Sequence, residues 1–382
     1  MEAHPALTEE HAAFRATVRR FTEREIMPHA AEWDEAGEFP RTLYAKAAAA
    51  GLLGVGFPEA YGGTPADLFF HVILSEEIAL AGAGGVHAGL FSHQIGAPPI
   101  AAVGSEELKA RVLPDILAGR KISALAITEP TGGSDVANLR TTARREGEDY
   151  IVDGEKAFIT SGVRADVYTV AVRTGGPGSA GVSLLLIERD REGFTRAPLK
   201  KMGWWSSDTA LLRFDNVRVP AANLIGEENA GFRAIMLNFN AERLGMAAAA
   251  VGFAQACLDD AVAWAHERRT FGKLLAEHQV IRHKLVDMQT RVHAARALVY
   301  DTCWKLSEAP RHAPHVAQLA MTKNLAGRTM QFCADEAVQI LGGAGFMRGT
   351  RAERVYREVK VFTIGGGAEE IMKDLAARQL GW

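Results

Sequence analysis

The 382-residue sequence has few of the features that mark several common functional classes. Its three cysteines, Cys257, Cys303 and Cys333, lack the spacing of a zinc site, so we expect small buried thiols in a reducing compartment. H-E-x-x-H and C-x-x-C motifs are missing, which disfavours a metal enzyme and predicts no bound metal. The net charge of −3 gives no basic surface, so no nucleic-acid partner is expected. Because no P-loop occurs, a nucleotide cofactor would need another kind of phosphate-binding surface.

Long apolar runs and targeting segments are also lacking. The most apolar stretch, residues 246–258, is interrupted by Gln255 and is shorter than the roughly 20 residues that cross a bilayer. The first residues have neither the basic and apolar regions of a signal peptide nor the Arg/Ser-rich composition of a transit peptide. We therefore expect a soluble, cytoplasmic protein with no membrane partner.

The spacing of apolar residues divides the chain into three parts. Helical spacing dominates the first part, and Thr8 and Pro28 mark the start and the end or kink of its first helix. A period of two with turn clusters follows, and then long amphipathic stretches return at 232–267, 279–306, 315–341 and 369–380. We predict an α+β protein with three domains: an N-terminal helical domain (1–122), a small middle β domain (123–230) and a C-terminal four-helix bundle (231–382).

One stretch of the predicted β domain combines a glycine-rich loop with a strand pattern. Residues 128–135 read T-E-P-T-G-G-S-D, and such glycines let a ligand approach backbone N–H groups while the serine hydroxyl can bind a phosphate. Residues 150–152 and 158–160 predict two short strands joined by an Asp153-Gly154 turn. On the residues alone, a surface loop and hairpin without a ligand explains this stretch equally well. Two further strands are expected at 211–214 and 217–219.

Residues 128–135 and the following G-E-K-A-F-I-T-S-G (154–162) resemble the flavin-binding segment of the acyl-CoA dehydrogenase family. Similar stretches occur in family order at 215–226, 268–279 and 339–345, and at 356–371, so the resemblance covers essentially the whole chain. It implies the same three-domain architecture, an FAD cofactor and a homotetramer built as a dimer of dimers. It also implies dehydrogenation of an acyl-CoA thioester to a trans-2-enoyl-CoA, with electrons passed to an electron-transfer flavoprotein.

The resemblance implies two groups of FAD-binding residues. The group on the chain's own flavin comprises Ala126, Ile127, Thr128, Gly133, Ser134, Phe158, Ile159 and Thr160. The group that reaches a neighbouring subunit's FAD comprises Arg268, Thr270, Phe271, Gln279, Gln339, Ile340, Gly342 and Gly343. Thr160 would bond the reactive N5 edge of the ring, and Phe158 stands where many members have Trp. From the residues alone, Phe158 could be a core residue and Arg268 could complement a helix dipole.

The catalytic base is the informative departure from the family pattern. Many members have it in a Y-E-G-T loop that follows a strand-like Y-R-D-A-K run, but here Gly366 stands at the glutamate's position. In the isovaleryl- and long-chain-type branches the base lies beside an arginine on the helix that opens the last domain. Glu242, next to Arg243, fits that position, and we predict it to be the base. Glu369 and Glu370 are competitors, and an ordinary surface helix position is the alternative for Glu242.

Substrate contacts are also implied by the resemblance. Arg243 would bond the CoA moiety, and the backbone near Gly366 would donate to the thioester carbonyl, with further contacts at Ser134, Gln94 and Gly365. The helix around 91–95 would form the pocket floor. The small residues at 82–89 would either leave room for the acyl chain or allow close helix packing.

Two other functions fit the same residues. The first is a flavin monooxygenase or oxidase on the same fold without a base for the α-proton. The second is a non-enzymatic CoA- or flavin-binding oligomer.

Overall fold

The computed structural model describes residues 4–310 and 312–382, and its N-terminal part consists of short helices. Thr8 caps the first helix, as predicted, because its hydroxyl accepts the His11 N–H. Pro28 lies in a 3₁₀ turn that kinks the chain between the first two helices. The helices are α1 (Glu9–Phe21), α2 (Ala30–Ala36), α3 (Thr42–Ala49), α4 (Leu68–Ala79), α5 (Gly84–Leu90), α6 (His93–Gly96), α7 (Pro98–Val103) and α8 (Glu106–Leu117).

A seven-stranded sheet forms the middle part of the chain. Its strands are β1 (Ser123–Ala126), β2 (Thr142–Glu146), β3 (Asp149–Thr160), β4 (Val167–Arg173), β5 (Val182–Glu188), β6 (Phe194–Pro198) and β7 (Thr209–Pro220). The strand order is β1-β4-β2-β3-β7-β6, and β5 pairs with β4. β1 runs parallel to β4, whereas the long strands β3 and β7 are antiparallel neighbours. The sheet core is dense with buried aliphatic side chains from β3, β4, β5 and β7.

The predicted hairpin at Asp153-Gly154 is wrong. β3 continues through both residues, and Gly154 pairs with Phe214 after a register shift. Gly154 has φ +142°, which only glycine adopts easily, and the Asp153 carboxylate accepts the Asn216 N–H of β7 at 2.7 Å. The pair is therefore a β-bulge and not a turn, because β7 continues alongside β3. The two strands expected at 211–214 and 217–219 likewise form the single strand β7.

Helices return after the sheet, in the places that the apolar spacing predicts. The elements are α9 (Gly231–Glu267), the two-strand hairpin β8 (Arg269–Thr270) and β9 (Lys273–Leu274), and then α10 (Gln279–Glu308), α11 (Ala313–Leu341), α12 (Gly343–Phe346), α13 (Arg351–Phe362) and α14 (Glu369–Leu380). The run at 356–360, expected to be strand-like, lies in α13. Its apolar residues recur at helical spacing, with Val355, Val359 and Phe362 buried on one face.

α9 is the core helix of this bundle. Its run of small residues at 247–250 is buried, which allows α4 and α11 to pack closely on both sides. Within the described residues, α9 is the one helix long and apolar enough to suit a membrane span, but most of its apolar part is buried inside the protein. A central position in a helical bundle accounts for that composition.

Close packing, not open space, explains the small residues at 82–89. A Cβ on Gly82 would lie 2.1 Å from Arg351 Cγ, and one on Gly85 would lie 2.4 Å from Ser206 Oγ. Gly84 is at a junction of all three parts of the chain. The buried Glu358 carboxylate of α13 accepts the Gly84 N–H at 2.9 Å and the Trp204 N–H at 3.2 Å. The glycines of α5 therefore let the helix approach the β domain and α13.

We expect Gly84→Ala to destabilise the protein by about 1–3 kcal/mol, because the added methyl overpacks a buried site. The new Cβ would lie 2.4 Å from Trp204 Nε1 and 2.6 Å from Glu358 Oε2. Gly176→Ala is the matched control, since its Cβ would meet nothing within 4 Å, and it should change stability by less than about 0.5 kcal/mol. Urea unfolding measures both. Equal effects would contradict close packing at Gly84.

Candidate active site

A buried ion pair shapes the loop that precedes β2. The Glu129 carboxylate receives hydrogen bonds from Lys156 Nζ (2.8 Å), the Thr141 N–H (2.9 Å) and the Arg140 N–H (2.6 Å). Lys156 Nζ also donates to the Ile127 carbonyl at 3.0 Å. Burial lowers the pKa of Lys156 to about 8, although the Glu129 charge opposes that shift. These contacts anchor both ends of the loop and leave its tip, residues 130–135, exposed to solvent.

The end of β3 presents an aromatic ring and a hydroxyl in a strained backbone. Phe158 has φ +61° and Ser161 has φ +59°, and the β3–β7 register shifts between Lys156 and Ile159. As a result the Phe158 ring leaves the sheet core and is 69% exposed. A bulky residue in the left-handed region is uncommon and tends to occur at functional sites. The alternative that Phe158 is a core residue is wrong.

These residues fit the isoalloxazine and ribityl parts of FAD. Phe158 offers a flat apolar surface, and the hydroxyls of Thr128, Ser134 and Thr160 make no hydrogen bond to other described residues. The Gly132 N–H donates to the Glu129 carbonyl at 3.1 Å, but the Gly133 and Ser134 N–H groups make no hydrogen bond to other described residues and are accessible to a phosphate. Ala126 and Ile127 are buried at the end of β1 and can contribute only backbone atoms.

The second group of predicted FAD residues lies in the C-terminal part. Arg268 follows the last residue of α9, and Phe271, with φ +51°, is 97% exposed at the tip of the β8–β9 hairpin. Gln339, Gly342 and Gly343 are exposed around the C-terminus of α11, whereas Ile340 is buried. Among the described residues, no hydrogen bond or ion pair joins this group to the loop at 128–135. Such exposed residues are available to a second subunit.

Glu242 is not an ordinary surface residue of α9. Its Oε2 atom is out of contact with solvent and has no hydrogen-bond partner among the described residues. Desolvation raises the pKa of Glu242 to about 7, although the charges of Arg243 and Lys323 oppose that shift. An unpartnered buried carboxylate is costly and is typical of a group held ready for proton transfer. The structure therefore excludes the solvated-face alternative for Glu242.

A glycine loop, residues 365–367, lies directly against this part of α9. Arg243 Nε donates to the Gly366 carbonyl at 2.9 Å. Gly366 has φ +64°, and a Cβ there would lie 2.7 Å from Met246 Sδ, one helical turn after Glu242. A longer side chain at position 366 would thus compete with α9 for space. Within the described part of the chain, the Gly366 N–H makes no hydrogen bond and remains free to donate to a ligand.

The two competing glutamates have different surroundings. Glu369 is paired with Arg328 and with Lys373 at 2.8 Å, and the hydrogen bond from Arg328 is the main reason that its pKa falls to about 2. Glu370 is exposed at the start of α14. The lowered pKa of Glu369 makes it a weak base near neutral pH.

Two side chains of the predicted pocket floor, residues 91–95, form hydrogen bonds with neighbouring backbone carbonyls. Gln94 Nε2 donates to the Val55 carbonyl at 3.4 Å, and Ser92 Oγ donates to the Ser123 carbonyl at 2.9 Å. No described hydrogen bond joins Gln94 to Glu242 or to the glycine loop, so its role in substrate binding stays a prediction.

Two buried lysines near these sites were not assigned a role from the sequence. The sequence shows Lys156 only as part of the G-E-K motif, and it predicts no role for Lys323 of α11. A signal was present for Lys323, because it interrupts a helical stripe of apolar residues that includes Leu319, Ala326 and Met330.

Three family models match consecutive parts of the chain: the N-terminal domain of acyl-CoA dehydrogenase over residues 8–120, the middle domain over 124–217 and the C-terminal domain over 229–381. The long-chain specific acyl-CoA dehydrogenase, mitochondrial, of Sus scrofa is 39% identical over 375 residues, which are 97% of this chain and 86% of that protein. A probable acyl-CoA dehydrogenase structure from Mycobacterium abscessus is 49% identical with a TM-score of 0.94, covering 98% of this chain and 99% of the other. A glutaryl-CoA dehydrogenase from Mycobacterium smegmatis in complex with FADH2 is 28% identical with a TM-score of 0.91, covering 98% and 95%.

The three-part fold and the flavin-type site define a flavin-dependent oxidoreductase. The chain belongs to the acyl-CoA dehydrogenase family, which confirms the predicted fold class and enzyme class. Members of this family bind FAD, so the expected cofactor is confirmed as well. A non-enzymatic binding protein is therefore excluded.

We expect Lys156→Met to destabilise the protein by about 3–5 kcal/mol, because it leaves the buried Glu129 carboxylate without its cation. FAD content per chain, measured by absorbance, should fall with it, since the loop that holds Thr128 loses an anchor. Lys200→Met, at an exposed position of the same part of the chain, is the control. The double variant with Glu129→Gln should recover part of the loss. A single variant as stable as the control would refute the anchoring role.

Proposed function

We propose that this protein oxidises an acyl-CoA thioester to a trans-2-enoyl-CoA with Glu242 as the base, as in the isovaleryl- and long-chain-type branches. The observation that supports this most directly is Glu242 Oε2, a buried carboxylate oxygen with no hydrogen-bond partner among the described residues, beside Arg243, which bonds to the Gly366 carbonyl. A flavin monooxygenase or oxidase that lacks a base for the α-proton would not need such a group. The proposal includes an electron-transfer flavoprotein as acceptor, a homotetramer with FAD shared between subunits, and a cytoplasmic location.

Glu242 would remove the α-proton of the thioester. A carboxylate in water is too weak a base for this proton, but burial raises the pKa of Glu242 to about 7 and makes it a stronger one. The nearby Arg243 and Lys323 charges keep the ionised form accessible near neutral pH. Bound FAD supplies the acceptor for the hydride that leaves the β-carbon.

The glycine loop would stabilise the charge that develops on the thioester oxygen. The Gly366 N–H is free to donate to this oxygen, with Gly365 beside it, and Arg243 fixes the loop from behind through the Gly366 carbonyl. Because Glu242 and Arg243 are adjacent on α9, base and loop are held in one rigid arrangement. Besides this bond, Arg243 is the proposed contact to CoA.

Thr160 and Phe158 would orient the flavin, with the Thr160 hydroxyl directed to N5 and the Phe158 ring packed against the isoalloxazine. Thr128, Gly133 and Ser134 would hold the phosphates and ribityl chain. The exposed residues Arg268 and Phe271, and the end of α11, would complete a second subunit's FAD site.

We expect Glu242→Gln to retain FAD and acyl-CoA binding but to lower the rate of flavin bleaching by at least about 100-fold, because the amide cannot accept the α-proton. Stopped-flow absorbance with an acyl-CoA measures this rate. Glu370→Gln, which changes an exposed glutamate in the same way, is the matched control and should bleach like the unsubstituted protein. A bleaching rate that survives in Glu242→Gln and is lost in Glu370→Gln would reverse the assignment.

The same carboxyl should make stability depend on pH. In the unfolded chain a glutamate has a pKa near 4.3, whereas the folded value for Glu242 is about 7. The folded protein therefore holds a proton that the unfolded chain releases, and stability is lost as pH rises from about 4.3 to about 7. Glu242→Gln should be more stable than the unsubstituted protein at pH 8 and nearly equal to it at pH 4, as measured by urea unfolding. A difference that does not change with pH would contradict the raised pKa.

A further inference from the structure

Two buried cations hold the glycine loop beside Glu242. Arg243 Nε donates to the Gly366 carbonyl at 2.9 Å, and Lys323 Nζ donates to the Gly367 carbonyl at 2.6 Å. The loop consists of three glycines and therefore has no side chains. Its φ angles of +64° at Gly366 and +107° at Gly367 are in the left-handed region. Its position therefore depends on contacts to its backbone.

Lys323 is in an unfavourable place for a lysine. It is 2% exposed, in a helical stripe where Leu319, Ala326 and Met330 are buried. Among the described residues it forms no salt bridge, and the Gly367 carbonyl is its one hydrogen-bond acceptor. Burying an ammonium without a paired carboxylate costs several kcal/mol, and a methionine of similar length would avoid that cost. Packing alone does not explain this residue.

The charged groups around Lys323 belong to the proposed catalytic centre. Glu242 and Arg243 face it from α9, and Glu369 faces it from α14. Glu369 already pairs with Arg328 and Lys373, so Glu242 is the carboxylate whose charge Lys323 can balance. The Lys323 charge favours the ionised form of Glu242, and burial lowers the pKa of Lys323 itself to about 8. The next residue, Asn324, holds the far side of the loop by donating to the Glu369 carbonyl at 2.9 Å.

We propose that Lys323 is a positioning residue of the active site, which fixes the glycine loop for the thioester oxygen and balances the charge of the ionised base. This inference rests on the proposed role of Glu242. Lys323 acts through the Gly367 carbonyl, to which its Nζ donates, and through its charge. Loss of the Lys323 ammonium should therefore loosen the loop and make Glu242 harder to ionise.

The test is the pH dependence of kcat/KM in Lys323→Met, Lys323→Arg and a control, Lys305→Met, which removes a partly exposed lysine of α10. In Lys323→Met the acidic limb should move to higher pH by about half a unit or more, because an opposite charge near the base is gone. Affinity for a non-reactive acyl-CoA analogue that keeps the thioester carbonyl but has sulfur in place of the β-carbon, measured by calorimetry, should weaken by about 2- to 13-fold through loss of one hydrogen bond. Lys323→Arg and the control should keep the acidic limb in place.

Lys323→Arg provides an independent measurement if Lys323→Met does not fold. Arginine stays charged throughout the measurable range, so a loss of activity above about pH 8 in the unsubstituted protein should disappear in Lys323→Arg. An alkaline limb that remains unchanged in that variant would overturn the role of Lys323.

Glu242→Gln, measured in parallel, separates the two proposals. If Glu242→Gln is inactive and the limbs of the pH profile change in the Lys323 variants as described, both proposals are supported. If Glu242→Gln is inactive but neither limb of the pH profile changes in the Lys323 variants, only the role of Lys323 is overturned. Any lower melting temperature of Lys323→Met then reflects a structural role alone. If Glu242→Gln bleaches flavin normally, the proposed base is wrong and the inference about Lys323 falls with it.

Discussion

A buried carboxylate oxygen that has no hydrogen-bond partner within the described part of the chain is the constraint around which this protein is arranged. Glu242 has such an oxygen, and its burial opposes ionisation more strongly than the neighbouring cations favour it. Folding must supply the energy for this arrangement elsewhere. The long helix α9 provides it, because its buried small residues at 247–250 pack closely against α4 and α11. The close packing of α9 is thus what keeps the Glu242 carboxylate oxygen buried.

The site combines parts that are remote from one another in the sequence. Phe158 and Thr160 belong to the sheet, Glu242 belongs to α9, and the glycine loop follows α13. Glu358 links these parts, because its buried carboxylate accepts one N–H from α5 and another from the loop at Trp204. Since each of these hydrogen bonds joins a different part of the chain to α13, the relative placement of flavin surface and base depends on tertiary contacts rather than on any local motif.

Local patterns predicted some elements well and others badly, for identifiable reasons. The ends of α10, α11 and α14 follow from apolar spacing, since long amphipathic helices have a clear period. The Asp153-Gly154 pair was misread because a D-G pair suits both a hairpin turn and a β-bulge, and only the continuation of β7 beside it decides between them. The run at 356–360 was misread because family resemblance, not spacing, suggested a strand. Its apolar residues have a helical period.

The sequence by itself determined the succession of a helical, a strand-rich and a second helical part and, through its motifs, the family and the flavin. It also placed a glycine at position 366, where many family members have the base, and a glutamate at position 242. Together these two residues indicated that the base lies on α9. The tertiary structure decided which glutamate is buried, which glycines serve close packing, and that Lys323 meets the Gly367 carbonyl. The physical reason is that burial and pKa depend on atoms contributed by residues more than a hundred positions apart, as Arg243 and Gly366 are, and no local pattern encodes that distance.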